Sequence, residues 1–137
     1  MSKPSQTQEI EVIMKEMLEI QQKSKAFTNL LTENELLHQN QLVLLLQLKI
    51  NGVMKVTEIA EVFSLTPGAI TSIVDKLEKL GFIQRVRELE DRRVVNIMLT
   101  SDGEVKVQEV FLKFPRDKLT SIAKVLKEVN TLMSTIF

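Results

Sequence analysis

Ser64-Leu65-Thr66-Pro67-Gly68-Ala69-Ile70-Thr71-Ser72-Ile73-Val74-Asp75-Lys76-Leu77-Glu78-Lys79-Leu80-Gly81 is the stretch on which the fold turns. Pro67 suits a first helical position, where its fixed φ helps and its missing N–H costs nothing, and Thr66 before it is a side-chain cap. A helix is therefore expected from Pro67 to Leu80, ended by Gly81. Ile70, Ile73, Val74, Leu77 and Leu80 recur at three- and four-residue steps, so one side of that helix is core. Gly68, Ser72, Asp75 and Lys79 lie on the other side, flanked by Thr71 and Lys76. Just upstream, Thr57 is the expected cap of a shorter helix through Ile59, Ala60 and Phe63, and the break at 64–68 spans only a few residues. Two helices joined by so tight a turn read as a helix-turn-helix. Small and polar side chains at the start of its second helix allow close approach to base edges, and backbone N–H groups there can meet phosphate. The plain alternative is an ordinary solvated face.

Downstream, Phe82–Glu88 and Val94–Thr100 are β-rich, and Val95, Ile97 and Leu99 alternate with Val94, Asn96 and Met98. This is the period of a half-buried strand, so a hairpin follows the helix-turn-helix with its tip at Leu89–Arg93, which makes a winged helix. The hairpin carries Arg85, Arg87, Arg92 and Arg93 in a chain whose formal net charge is zero. A narrow minor groove concentrates negative potential, and the weakly hydrated guanidinium suits it. Asp91 is short enough to pair with an arginine across the hairpin and hold the tip in shape, whereas Glu88 and Glu90 are expected to face water. Surface ion pairs alone are the other account of this cluster, and they stabilise little.

Further out, Ile10, Ile13, Met17, Ile20, Phe27 and Leu31 mark a long amphipathic helix from about Gln6 to Leu31. A second helix runs from about Gln39 to Ile50 and stops at Asn51-Gly52, and Val53–Val56 is a candidate short strand. Near the carboxy end Leu119, Ile122, Leu126, Val129, Met133 and Ile136 approach a heptad seam. Narrow stripes on both terminal helices fit helix-on-helix pairing between two copies, although both could pack within one subunit. A twofold dimer would set its recognition helices about 34 to 36 Å apart, one turn of DNA.

Composition narrows the function classes. With 137 residues the chain is long enough for one compact domain with a core. Apolar residues make up 44% but aromatics only 4%, so the core is aliphatic, as packed helices require. With no cysteine and one histidine, disulfides, thiol redox switches, thiolate metal sites and His-cluster metal sites are all disfavoured. No cofactor is expected. The polar amino terminus and the lack of a long apolar run predict a soluble cytoplasmic protein. Zero net charge requires any basic patch to be local. For an enzyme, the sequence offers no glycine-rich phosphate loop, no nucleophile elbow and no metal-ligand spacing. His38, the single histidine and near a helix start, reads as a capping or surface residue.

Leu37-His38-Gln39-Asn40-Gln41-Leu42-Val43-Leu44-Leu45 with Leu48, then Val56-Thr57-Glu58-Ile59-Ala60, Ile70 through Arg85, Asp91-Arg92-Arg93 and Leu99-Thr100-Ser101-Asp102-Gly103 follow in order. This set resembles the successive signatures of MarR-family transcription regulators. The motifs cover residues 37 to 103. The resemblance implies a mainly α fold with a small β-hairpin wing (α+β): a winged helix-turn-helix at 36–100, flanked by dimerisation helices at 1–35 and 101–137 in a single domain. It also implies a homodimeric repressor or activator on a pseudopalindromic double-stranded DNA operator, often released when a small anionic or phenolic ligand fills a pocket. Position by position it puts Arg93 in the minor groove, Asp91 and Arg92 in support of the wing, and Thr71 and Ser72 on the recognition helix. The expected DNA-binding set is Thr66, Gly68, Thr71, Ser72, Lys76, Lys79, Arg85, Arg87, Asp91, Arg92 and Arg93. Met14, Met17, Phe27 and Leu31 are the expected lining of an effector pocket, on the resemblance alone, because Met and Phe at helical spacing are usually core. The chain departs from the family pattern with His38 where Thr or Ser is frequent, Ser72 where Arg is common, and no cysteine for an oxidation switch. A winged helix that binds a protein instead of DNA is the alternative, since fold does not fix function.

Overall fold

The computed structural model describes Lys3 and residues 5–137. The expectation drawn from the polar amino terminus rests partly on Met1, Ser2 and Pro4, which lie outside the described residues. The elements run α1 (Gln6–Thr32), α2 (Gln39–Asn51), β1 (Val53–Lys55), α3 (Val56–Phe63), α4 (Pro67–Lys79), β2 (Ile83–Arg87), β3 (Val95–Leu99), α5 (Ser101–Leu112) and α6 (Arg116–Met133). They fall into two compact units, one ending at Gln39 and the other spanning Asn40–Phe137.

In the first unit, Ser5 and Gln8 start α1 with a reciprocal capping box: the Gln8 N–H donates to Ser5 Oγ at 3.2 Å and the Ser5 N–H to Gln8 Oε1 at 2.8 Å. Ile10, Ile13, Met17 and Ile20 on this helix are each at least half exposed, whereas Leu31 near its end is buried.

The second unit holds the winged helix. Leu42, Leu44, Leu45 and Leu48 of α2 are buried, as are Ile59 of α3, Ile70, Val74 and Leu77 of α4, Ile83 of β2, Ile97 of β3 and Val110 of α5. The core is aliphatic, as the composition required. The sheet has the order β1-β3-β2, all antiparallel, with Val53 opposite Met98 and Arg85 opposite Ile97. The short strand at 53–55 thus joins the wing as a third strand, a long-range pairing that its own sequence gives no means of reading.

Three local expectations are corrected. Thr57 does not cap α3; Lys55 does, because its N–H donates to Glu58 Oε1 at 3.4 Å and the carboxylate draws the helix start two residues earlier. Ser64, in the left-handed region at φ 53°, closes that helix: its own N–H donates to the Glu61 carbonyl and the Leu65 N–H to the Ala60 carbonyl. The carboxy-terminal helix ends at Met133 and leaves Ile136 exposed beyond it. The hydroxyls of Ser134 and Thr135 donate to the carbonyls of Asn130 and Leu132, a local alternative to further helix. Within α6 no residue is buried; Leu119 and Ile122 are half-buried, and Leu126, Val129 and Met133 are exposed. The third correction concerns Glu88, which accepts from Asn96 Nδ2 at 3.3 Å across the hairpin and so does not simply face water.

The start of α5 locks onto the turn before the wing. Thr100 accepts the Gly103 N–H through its hydroxyl at 3.0 Å and donates that hydroxyl to the Gly81 carbonyl at 2.5 Å, while its own N–H donates to the Phe82 carbonyl at 3.0 Å. Gly81 sits at φ 85°, a left-handed position that a side chain would strain.

Candidate nucleic-acid interface

The turn and the first turn of α4 form as the sequence dictates. Thr66 Oγ1 accepts the Ala69 N–H at 3.1 Å, the Thr66 carbonyl accepts the Ile70 N–H at 3.1 Å, and Pro67 has no N–H to satisfy. Thr71 donates its hydroxyl back to the Pro67 carbonyl at 2.9 Å and keeps its lone pairs outward. Gly68, Thr71, Ser72, Asp75, Lys76 and Lys79 are all exposed, while Ile70, Val74 and Leu77 are buried beneath them. A methyl group built on Gly68 would meet only Thr66 Oγ1, at 4.0 Å. Neither packing nor backbone conformation in the free chain therefore asks for glycine there.

The four hairpin arginines divide into different roles. Arg85, on β2, is part-buried and pairs with Asp75 and Glu78 of α4. Partial burial works against its charge, but hydrogen bonds to Asp75 and Glu78 and the field of both carboxylates outweigh it and raise its pKa above the ordinary guanidinium value. Arg87 donates from Nη1 to the Arg92 carbonyl at 2.8 Å, a strand-to-tip tie. Arg93 is held by Asp91, whose Oδ1 accepts the Arg93 backbone N–H and Nε, each at 3.1 Å, and whose Oδ2 accepts Nη2 at 3.2 Å. The acidic brace is thus real, but it works along the tip to the residue two positions on, not across the hairpin. Side-chain and backbone hydrogen bonds from Arg93 hold the Asp91 carboxyl below its usual pKa. The Arg93 side chain is nonetheless 92% exposed, so the brace orients the guanidinium without covering it.

Residues 66–93 carry six Lys and Arg against five Asp and Glu, so the face is not strongly basic as a whole. Pairing sorts it: Asp75 and Glu78 serve Arg85, and Asp91 serves Arg93. Among the described residues no ion pair engages Lys76, Lys79, Arg87 or Arg92. The structure thus brings the exposed polar face of α4 and an oriented, exposed arginine tip into one unit. The carboxylate clamp on Arg85 was missed from sequence; Asp75 and Glu78 lie three residues apart on one helix face, but their partner is seven residues beyond Glu78 and is placed only by the fold.

Met14 and Met17 are exposed on α1, Phe27 is half-buried and Leu31 is buried. One open hollow of about 480 Å³ lies along α6 beside Lys124, Lys127, Glu128, Thr131 and Leu132. Another, of about 530 Å³, lies at the end of α1 beside Ala26, Asn29, Leu30, Thr32 and Glu33. Neither is lined by the four residues expected around an effector. No helix among the described residues is long and apolar enough to cross a membrane.

Residues 37–95 match the model of the MarR family. The HTH-type transcriptional repressor MdtR of Bacillus subtilis (strain 168) is 43% identical over 70 residues, which is 51% of this chain and 45% of that protein. The chain spans about half the length of the curated relatives it matches. A MarR family protein from Bacillus stearothermophilus superposes with a TM-score of 0.73 at 22% identity, over 96% of this chain and 99% of that one. A mutant MarR from E. coli complexed with operator DNA superposes with a TM-score of 0.60 at 21% identity, over 92% and 99% of the two chains. At such identities both structures show a shared fold and nothing finer.

Proposed function

We propose that the chain, whose residues 37–95 match the MarR family model, is a winged helix-turn-helix transcriptional regulator that binds a pseudopalindromic double-stranded DNA operator as a homodimer and represses transcription. The observation that carries this reading is the exposed Arg93 guanidinium, oriented by Asp91 at the wing tip, in the same unit as an exposed small-residue recognition helix. Arg93 enters the minor groove, supported by Asp91 and Arg92. Thr66, Gly68, Thr71 and Ser72 face the major groove, and Lys76, Lys79 and Arg87 meet phosphate. The repressor name of the Bacillus subtilis relative supports the class.

Dimerisation is supported by the uncovered apolar stripes of the terminal segments, 1–35 and 101–137: Ile10, Ile13, Met17 and Ile20 on one, Leu126, Val129 and Met133 on the other. The winged helix at 36–100 is then the reading head. The protein works in the cytoplasm, where such an operator is found, and has no catalytic role. Release by a small anionic or phenolic ligand rests on the family likeness. A rise in melting temperature with phenolic acids, together with loss of DNA binding, is its test.

Selection of binding sites from a random duplex pool tests the proposal. An enriched pseudopalindrome with half-site centres roughly 10 to 10.5 bp apart is the expected outcome. The nearly balanced charge of residues 66–93 favours one rival, a winged helix that binds a protein; absence of enrichment at moderate salt would leave that rival or an effector already bound, and a pull-down separates the two.

Two predictions arise here. Lys76→Ala and Lys79→Ala are each expected to lower specific and non-specific affinity alike, with the slope of log K against log salt falling by about 0.9 per lost phosphate contact. An unchanged slope in a salt titration removes that lysine from the interface. Gly68→Ala is expected to act with opposite signs. It should stabilise the free protein by roughly 0.5 kcal/mol, because alanine restricts the unfolded chain and nothing obstructs its methyl group. It should weaken operator binding, because the methyl group then stands where DNA must approach. Melting curves and an operator titration on one preparation check both, and equal affinity with raised stability would show that this helix end lies away from the DNA.

A further inference from the structure

Arg85 sits in β2, an edge strand of the sheet, opposite Ile97. Its side chain is 27% exposed, and Nη1, Nη2 and its backbone N–H each already donate to a carboxylate. Nη1 donates to Glu78 Oε1 at 2.6 Å, Nη2 donates to Asp75 Oδ1, and the backbone N–H donates to Glu78 Oε2 at 3.1 Å. Glu78 therefore grips the strand by backbone and side chain together, and Asp75, one turn earlier on α4, takes the other arm of the guanidinium. A fork held at both arms has a fixed direction, which a single exposed ion pair does not give. Among the described residues, the hydrogen bonds and ion pairs between α4 and the two wing strands all run through Arg85. The ties further out, Glu88 N–H to the Val94 carbonyl, Val94 N–H to the Asp91 carbonyl and Arg87 to the Arg92 carbonyl, are internal to the hairpin.

We propose that Arg85 is a positioning residue that clamps the wing to the recognition helix through Asp75 and Glu78, fixing where Arg93 is presented, and does not itself contact DNA. This rests on the DNA-binding reading above but separates Arg85 from the residues that touch the operator. A phosphate contact by Arg85 would have to be made beside two carboxylates already bonded to it, whose charge opposes the approach of an anion. The clamp also offsets half of the negative charge of Asp75 and Glu78, which would otherwise repel a phosphate backbone from the exposed side of α4 more strongly.

The test begins without DNA. The chain has no cysteine, so Leu89→Cys at the wing tip, where the native side chain is 92% exposed, takes a single spin label. Adding Arg85→Met should make the label measurably more mobile while the melting temperature stays close to that of the labelled parent, and Arg85→Lys should recover only part of the rigidity because one ammonium cannot fork to two carboxylates. An unchanged spectrum in Arg85→Met overturns the clamp. On a selected operator duplex, Arg85→Met should lose roughly tenfold in affinity with an unchanged salt slope, and that loss should vanish in an Arg93→Ala background, because a wing without its probe has nothing to place. A slope lower by about 0.9 would make Arg85 a direct phosphate contact. A loss that persists undiminished beside Arg93→Ala would make it merely structural. Should the wild type select no operator while the label still responds, the DNA-binding reading falls and the clamp stands.

Discussion

Gly103→Ala is expected to destabilise the protein by roughly 3 kcal/mol, at the upper end of what overpacking costs. A Cβ at this position would lie 2.0 Å from the Phe82 carbonyl oxygen, 3.0 Å from its carbon and 3.2 Å from Leu99 Cδ2. The first of these contacts is with backbone, which cannot rotate away as a side chain can. Nor can α5 simply lift, because Thr100 ties its start to the Gly81 and Phe82 carbonyls and caps Gly103 itself. Relief of the clash must break part of that knot, and it does so beneath the base of the wing. Urea unfolding measures the effect directly; a change below about 0.5 kcal/mol, the range of ordinary surface substitutions, would mean that the approach of α5 to Phe82 is looser than the structure has it. Gly81→Ala is the internal control. No atom lies within 4 Å of a Cβ there, and only the left-handed φ of 85° is at stake, so its cost should be nearer 1 kcal/mol.

Arg93→Ala is expected to weaken specific operator binding by about 1 to 3 kcal/mol, tenfold or more, while leaving fold and assembly unchanged. The two halves of this expectation have separate origins. The side chain is 92% exposed and, among the described residues, its partner is Asp91 alone, so removal from the free protein should alter stability by no more than about 0.5 kcal/mol. In the proposed complex the same guanidinium would fill a narrow groove lined by phosphates, where few other side chains fit. Asp91→Asn should reproduce part of the loss, since an amide accepts fewer hydrogen bonds and carries no charge to orient the arginine. Fluorescence anisotropy with a labelled operator, read beside a melting curve, settles the matter. Equal affinity for wild type and Arg93→Ala would remove the wing tip from recognition and point to α4 alone.

Local chemistry made much of this legible in advance. Thr66 and Pro67 start α4, Gly81 ends the segment, and Val95, Ile97 and Leu99 alternate into the sheet, because caps, fixed φ and side-chain period act between near neighbours in sequence. The same locality allowed the brace at the tip to be anticipated, with Asp91 and Arg93 two residues apart. Where the local signal was shared between candidates, the reading slipped: Thr57 is a good cap by type, but Glu58 gave the helix start to Lys55.

By itself, then, the sequence determined the order of the helices through α4, the winged helix-turn-helix, the aliphatic core and the exposed arginine tip, since each follows from residue type and spacing along a few turns or strands. Only the tertiary structure decided which arginine is clamped to α4. Arg85 and Arg93 are the same residue type on the same hairpin, but Arg85 meets two carboxylates that the α4–β2 packing carries to it, and Arg93 meets only its own tip. It likewise decided that Gly103 is needed for space and Gly81 for conformation, and that β1 joins the wing opposite β3. Contacts between distant segments depend on how elements pack, and packing sums many weak terms over the whole core that no short window of sequence contains.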